Sequence, residues 1–309
     1  MPLLSRRDWL RSSVAATAFA STGNAAEPVK RGTSFGFSLY GMKTLPIPDA
    51  LKTCAAIGYD SVEFALMPGW PTDSAKLTPA NRKDLRNQLA DHKLSLAGLM
   101  ENLPVTGDDA AFHRTVERLK LACDLAQELS PRSVPPIETI LGGKPGEWEK
   151  VRDLFAARMA IWAKTAEAAK VVVTVKPHVG NAMRTLDGCV WLMKQVNSPW
   201  LRLAFDTSHF ELQGVPVAEA IEKLIPYSAF VHVKDWKGTP AKFEFLLPGD
   251  GTTDYPAYFT LLKKANYTGP VVVEVSGLIF NRAGYDPIAS AKKCYANLAP
   301  AFAKSGLRA

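Results

Sequence analysis

Two apolar runs decide the fold of this chain: Val171-Val172-Val173-Thr174-Val175 and Val271-Val272-Val273-Glu274-Val275. Continuous β-branched runs of this length are typical of strands buried on both faces, as in parallel sheets that are covered by helices. An acid inside the second run, Glu274, is costly to bury unless it is paired or binds a metal. The two runs therefore predict a parallel sheet, and the second one also marks a candidate functional position.

The same alternation of short apolar runs and longer amphipathic segments extends along the chain on both sides. The predicted strands are Ser34–Leu39, Ser61–Ala65, Leu94–Leu99, Ser133–Ile137, Val171–Lys176, Leu201–Phe205, Phe230–Lys234 and Val271–Val275. The predicted helices are 48–57, 78–92, 108–128, 147–169, 185–196, 216–225, 255–265 and 287–304. Eight strands that alternate with eight helices predict an α/β fold, a closed (β/α)₈ TIM barrel. A doubly wound open sheet is the second choice, but no Gly-rich dinucleotide loop follows the first strand.

The N-terminal segment has the pattern of an export signal. Ser5-Arg6-Arg7-Asp8-Trp9-Leu10 is a twin-arginine pattern, and a weakly apolar run follows it at Val14–Ala20. We therefore expect a twin-arginine signal peptide at 1–26, a barrel domain at 27–309, and a periplasmic or secreted location. An ordinary N-terminal tail with a chance arginine pair is the alternative.

Composition limits the range of partners. The net charge of +7 is mildly basic, but no dense basic run is present, so we do not expect nucleic acid as a partner. No run approaches the ~20 apolar residues of a membrane span. The four cysteines lack metal-site spacing, so buried free thiols are expected, with a disulfide as the alternative. A small-molecule sugar is the expected partner, and a homo-oligomer is possible.

Residues at the carboxyl ends of barrel strands face the active site. Strand six ends at Asp206, strand seven contains His232, and strand eight carries Glu274. These three residues are the predicted metal ligands, since a mixed oxygen and nitrogen set suits Mn²⁺, Mg²⁺, Co²⁺ or Zn²⁺. Asp206 could instead cap a helix, and a buried His232 could simply bond a backbone carbonyl.

Further polar residues follow the same strand ends. His209 lies three residues after Asp206 and is a candidate catalytic and substrate-binding residue. The other predicted substrate-binding residues are Glu63, His178, Lys234 and Trp236. Lys234 and Asp235 could instead form a surface salt bridge, and Glu63 could cap a helix. We expect the long segment Asp235–Thr253 to be a loop that covers the site.

A metal at this position can polarise a sugar carbonyl, which acidifies the neighbouring carbon-bound proton and stabilises an enediolate. Glu274, a carboxylate beside the metal, is the predicted catalytic group that moves this proton.

Five motifs together resemble the sugar phosphate isomerase/epimerase family, which has the xylose isomerase-like barrel. They are Gly58-Tyr59-Asp60-Ser61-Val62-Glu63, Phe205-Asp206-Thr207-Ser208-His209, His232-Val233-Lys234-Asp235, Pro248-Gly249-Asp250-Gly251 and Gly269-Pro270-Val271-Val272-Val273-Glu274. The resemblance spans about residues 33–304. It implies that Asp206, His232 and Glu274 hold a metal together with a Glu that ends strand five, and that His209 contacts substrate.

The chain departs from this pattern at strand five, where Lys176 stands in place of the family's Glu. Three outcomes are open. His178 supplies the fourth ligand; or Lys176 acts as the catalytic base, with its pKa lowered by the metal and burial. In the third outcome the metal is lost, and Lys176 pairs with Asp206 or Glu274 in a relict or binding-only site.

The first functional hypothesis is a metal-dependent sugar isomerase or epimerase. The alternatives are a 3-keto-glycoside lyase or hydrolase that works by β-elimination, for which one base suffices, and a non-catalytic sugar-binding protein. Abasic-site DNA cleavage, as in the endonuclease IV branch, is disfavoured, because that branch uses many histidine ligands and this chain has five histidines.

Overall fold

A computed structural model describes residues 33–308 of the chain. The predicted signal peptide at 1–26 lies outside the described residues. Among the described residues, no helix combines the length and the apolar character needed to cross a membrane.

Eight parallel strands close into a barrel, which confirms the predicted fold. They are β1 Phe35–Ser38, β2 Ser61–Ala65, β3 Ser95–Met100, β4 Ile137–Ile140, β5 Val173–Lys176, β6 Leu201–Asp206, β7 Ser228–Val233 and β10 Val271–Val273. The strand order around the barrel is β1-β10-β7-β6-β5-β4-β3-β2, so the last strand closes against the first. Each strand end therefore reaches the same rim of the barrel.

Helices follow the strands and surround the barrel. They are α1 Ile47–Ile57, α2 Pro79–Asp91, α3 Asp109–Leu129, α4 Trp148–Ala169, α5 Leu186–Val196, α6 Ser208–Glu211, α7 Val217–Leu224, α8 Tyr255–Lys264, α9 Gly277–Phe280 and α10 Pro287–Ser305. Side-chain caps fix several of their first turns: Thr78 bonds the amide of Asn81, and Thr185 bonds that of Gly188. All four cysteines are buried as free thiols, as expected.

Two predictions of local structure were wrong. The fourth strand begins at Ile137, where the predicted strand ended, because Pro135 and Pro136 cannot donate backbone hydrogen bonds to a ladder. The segment predicted as a loop contains an antiparallel hairpin of β8 Asp235–Thr239 and β9 Lys242–Leu246.

Apolar side chains fill the barrel interior below the site. Four buried residues there form a cluster separate from the main core: Ala97, Ala204, Phe230 and Val272. Gly98 has no room for a side chain, since a Cβ would lie 2.7 Å from the Phe230 ring. The main core lies between the strands and the helices, so the interior cluster serves as the floor of the site.

Candidate active site

Asp206, His232 and Glu274 meet at the carboxyl-terminal rim of the barrel. One potential ligand atom from each lies within 4.8 Å of the other two. Side chains two residues apart lie on the same side of a strand. The three residues that precede them by two positions form the floor described above: Ala204, Phe230 and Val272. The alternation of the strands therefore directs all three polar groups into the barrel mouth.

The His232 ring is oriented for ligation through one nitrogen. Its Nε2 lies 2.9 Å from Glu63 Oε2, and its ring is perpendicular to that of Phe230, with ring centroids 4.8 Å apart. Its Nδ1 lies 3.8 Å from Glu274 Oε2 and has no hydrogen-bond partner among residues 33–308. A carboxylate behind the ring places the proton on Nε2, which leaves the Nδ1 lone pair directed at Asp206 and Glu274.

Glu63 therefore does not have the substrate-binding position that was predicted for it. Its carboxylate is fully buried on the far side of His232, and its hydrogen bond to the imidazole takes the place of a contact with solvent or substrate. The interior of the barrel excludes water there, so a buried acid needs such a partner. Glu63 is a positioning residue for His232.

Lys234 is buried in the centre of the same group and does not pair with Asp235 at the surface. Its ammonium donates to Asp206 Oδ2 and, at 2.7 Å, to Glu274 Oε2. It also lies 3.4 Å from His209 Nε2. The alternation of β7 explains this position, because His232 and Lys234 project from the same side of the chain.

Lys176 lies between two carboxylates, at 3.2 Å from Glu274 Oε2 and 3.3 Å from Glu138 Oε1. Burial alone would lower the pKa of Lys176, but the Glu138 and Glu274 carboxylates raise it above its ordinary value. The two carboxylates therefore oppose the role of base predicted for Lys176, which depends on a bound metal and stays a prediction. Its pairing with Glu274 is the one foreseen in the third outcome.

Burial would raise the pKa of Glu274, but the Lys176 and Lys234 ammonium groups hold it well below its usual range. Glu274 is thus ionised and suited to bind a cation. Burial raises the pKa of Glu138, and the Lys176 ammonium offsets part of this effect.

Two further histidines, His178 and His209, lie side by side next to the site with their rings tilted. The rings of His178 and His209 lie 4.2 Å apart, and the His178 Nδ1 accepts a hydrogen bond from the backbone of Gly180. His178 does not belong to the group of potential ligands among the described residues, so its predicted role as fourth ligand is not supported. His209 is placed as predicted beside Asp206, with Nε2 3.6 Å from Oδ2. Burial and Lys234 hold the pKa of His209 well below its ordinary value, so its ring is neutral.

The β8–β9 hairpin covers these groups. Phe245 packs edge-on against His209 with ring centroids 5.1 Å apart, and its ring centroid lies 4.6 Å from the Lys234 ammonium. Trp236 is the cross-strand partner of Phe245, so both side chains lie on the same face of the hairpin. Lys237 and Glu244 form an ion pair that is largely exposed. The hairpin thus covers the site with aromatic side chains.

These residues fit a divalent metal. Three protein ligands of mixed type leave coordination positions for substrate, and the free Nδ1 of His232 needs a partner. Carboxyl groups outnumber ammonium groups in the site by two: Glu63, Glu138, Asp206 and Glu274 against Lys176 and Lys234. The site therefore favours additional positive charge.

Two of these residues were absent from the sequence predictions. Glu138 was missed because the fourth strand was placed too early, although an acid between Ile137 and Thr139 is the same signal that marked Glu274. Phe245 was missed because its segment was interpreted as a loop. The alternation Lys242-Phe243-Glu244-Phe245 could have identified it as a strand.

Comparison with known proteins places this barrel in a family. The chain is similar to an L-ribulose 3-epimerase of Methylomonas sp. (strain DH-1), at 28% identity over 232 residues that cover 73% of this chain and 77% of that protein. It is also similar to an inosose dehydratase of Bacillus anthracis (strain CDC 684 / NRRL 3495), at 28% identity over 143 residues, or 41% of this chain and 47% of that protein.

The fold matches a crystal structure of the IOLI protein, which has a bound zinc atom, with a TM-score of 0.72 and 18% identity. That match covers 88% of this chain and 99% of the other. The sequence profile of the family described as xylose isomerase-like TIM barrel matches residues 51–293. The chain therefore belongs to the xylose isomerase-like TIM barrel family.

Proposed function

We propose that this chain is a metal-dependent enzyme that removes the proton next to the carbonyl of a keto-sugar, as an isomerase or epimerase does. The observation that carries the proposal is the convergence of Asp206, His232 and Glu274 with the Nδ1 of His232 left unpaired. The two relatives support it, because epimerisation at C3 of a 2-ketose and dehydration of an inosose both begin at a carbon beside a carbonyl.

The chain's own groups divide the work as follows. A divalent metal on Asp206, His232 and Glu274 would polarise the sugar carbonyl. Glu63 holds the His232 ring in place through Nε2. Glu274 is the most exposed of the four carboxylates of the site, and we assign the proton transfer to it.

The Lys176 ammonium contributes positive charge beside Glu274. Charge that develops on the carbonyl oxygen of the substrate is stabilised by such groups in a buried site. Phe245 covers the site and excludes water, which strengthens the electrostatic interactions within it.

A second candidate is elimination from a 3-keto-glycoside. The observation that favours it is the pair of ammonium groups beside one carboxylate, because Glu274 can take the proton while an ammonium donates one to the departing oxygen. The strand-five position that carries the family's second Glu is occupied by Lys176, and elimination needs a single base.

Proton NMR in D₂O tests both candidates. The purified protein is incubated with Mn²⁺ and with either L-ribulose or a methyl 3-keto-glucoside. Deuterium uptake beside the carbonyl with an intact glycosidic bond supports the isomerase or epimerase, and release of methanol supports elimination. If neither change occurs in the presence of Mn²⁺, both candidate functions are contradicted.

Two matched variants test whether the deuterium exchange takes place at the barrel mouth. Asp206→Asn removes one potential ligand and is expected to abolish the exchange. Asp124→Asn, a change at an exposed position on α3, is the control and is expected to leave it unchanged. Equal loss of deuterium exchange in both variants would show that the exchange does not depend on the residues at the barrel mouth.

We also propose that the chain is exported to the periplasm or secreted. The support is the twin-arginine pattern at Arg6-Arg7. Cell fractionation of the full chain should recover it outside the cytoplasm, and Arg6→Lys with Arg7→Lys should retain it inside. Equal distribution of both forms would contradict export by this route.

A further inference from the structure

The position of the Lys234 ammonium bears directly on how a metal enters the site. We propose that Lys234 is a resident cation that a divalent metal must displace in order to bind Asp206 and Glu274. This inference rests on the proposed function, because it concerns the same metal. It adds a positioning residue that controls metal affinity.

The ammonium and the metal compete for the same oxygens. Lys234 Nζ donates to Asp206 Oδ2 and to Glu274 Oε2, the second at 2.7 Å. A divalent metal bonds carboxylate oxygens at about 2.0–2.2 Å, so an ion on these two oxygens would lie against the ammonium. Both carry positive charge, and Lys234 is only 2% exposed, so little water screens their repulsion. The two cations therefore exclude each other.

A place for the displaced ammonium exists beside the site. His209 Nε2 lies 3.4 Å from Nζ, and the Phe245 ring centroid lies 4.6 Å away. The neutral His209 ring accepts a hydrogen bond from the Val179 amide at Nδ1, so its Nε2 carries the proton, and the aromatic face of Phe245 is the group that attracts the ammonium. The flexible four-carbon stem of lysine allows such a movement without a shift of β7.

The other lysine has a different position. Lys176 also contacts Glu274 Oε2, but its second partner is Glu138, which is not one of the potential ligands. Lys176 therefore keeps an ion pair when a metal takes Glu274. Lys234, whose two carboxylate partners are both potential ligands, is the competitor.

The test is titration with Mn²⁺ by isothermal titration calorimetry, after treatment with EDTA and dialysis. The proteins are the wild type, Lys234→Met and the control Lys237→Met, which removes an exposed lysine from β8. We expect Lys234→Met to bind Mn²⁺ at least about tenfold more tightly than the wild type, because it removes a buried like charge. Lys237→Met should bind as the wild type does. Melting temperatures should show a larger Mn²⁺-dependent increase for Lys234→Met.

The outcomes separate this inference from the proposed function. If the wild type binds Mn²⁺ and Lys234→Met binds it equally or more weakly, the inference is overturned and the proposed function is unaffected. Wild type that does not bind while Lys234→Met binds supports the inference and contradicts a metal-dependent function. If neither the wild type nor Lys234→Met binds Mn²⁺, both the inference and the proposed function are contradicted. Should Lys234→Met fail to fold, Lys234→Gln, which keeps a hydrogen-bond donor without the charge, provides the same comparison.

Discussion

The Nε2 of His232 lies 2.9 Å from Glu63 Oε2, and both side chains are fully buried. This contact fixes which ring nitrogen faces Asp206 and Glu274. We expect Glu63→Ala to weaken Mn²⁺ binding about 10–100-fold, the usual effect of removing a carboxylate behind a ligating histidine. Glu63→Gln, which still accepts a hydrogen bond, should lose less. Calorimetric titration of the two variants measures the difference, and equal affinity in wild type and Glu63→Ala would contradict this role.

Lys176 should be essential for stability. Lys176→Met leaves Glu138 and Glu274 buried without their shared counter-ion, and we expect it to lower the free energy of unfolding by about 3–5 kcal/mol. The added change Glu138→Gln should restore part of this loss. Denaturant unfolding measures each value, with Lys237→Met as the control, because an exposed ion pair contributes about 0–1 kcal/mol. A loss no greater than that of the control would show that the buried pairing is absent.

His178 gives the stability a specific pH dependence. Burial, with Lys234 and Lys176, lowers the pKa of His178 from 6.5 to about 4. As the pH falls below 6.5, His178 takes up a proton in the unfolded chain before it does so in the folded one. The contribution of His178 to the free energy of unfolding is therefore full above that pH and is lost as the pH falls towards about 4. His178→Gln should show a shallower decline in the free energy of unfolding between these values. An identical decline in both proteins would rule out a neutral His178 in the folded protein.

Phe245 should keep the histidines away from solvent. We expect Phe245→Ala to lower the free energy of unfolding by about 3–5 kcal/mol, because it removes a buried ring. It should also accelerate the modification of His209 by diethyl pyrocarbonate, followed by mass spectrometry. Lys242→Ala, an exposed change on the same strand, is the control. Unchanged modification of His209 in Phe245→Ala would mean that the hairpin does not cover the site.

The barrel could be predicted because buried strands and amphipathic helices alternate so regularly in the sequence. The helix predicted at 147–169, for example, spans Trp148–Ala169. The convergence of Asp206, His232 and Glu274 followed from the rule that strand ends share one rim. The family comparison agrees with the barrel prediction.

The partners of the charged residues could not be predicted in the same way. That Lys234 faces inward was foreseeable from the alternation after His232, but its contacts with Asp206 and Glu274 depend on two other strands. Lys176 was recognised as unusual, yet its pairing with Glu138 depended on a strand whose start was misplaced. Distances between side chains on different strands follow from barrel closure and register, which one sequence does not specify.

The central claim is that Asp206, His232 and Glu274 bind one divalent metal. The most direct measurement is an anomalous difference map from crystals grown with Mn²⁺. We predict a single strong peak within about 2.2 Å of His232 Nδ1 and of a carboxylate oxygen from each acid, with the Lys234 ammonium turned towards the Phe245 ring. A map with no peak there, and Lys234 still bonded to both carboxylates, would contradict the account.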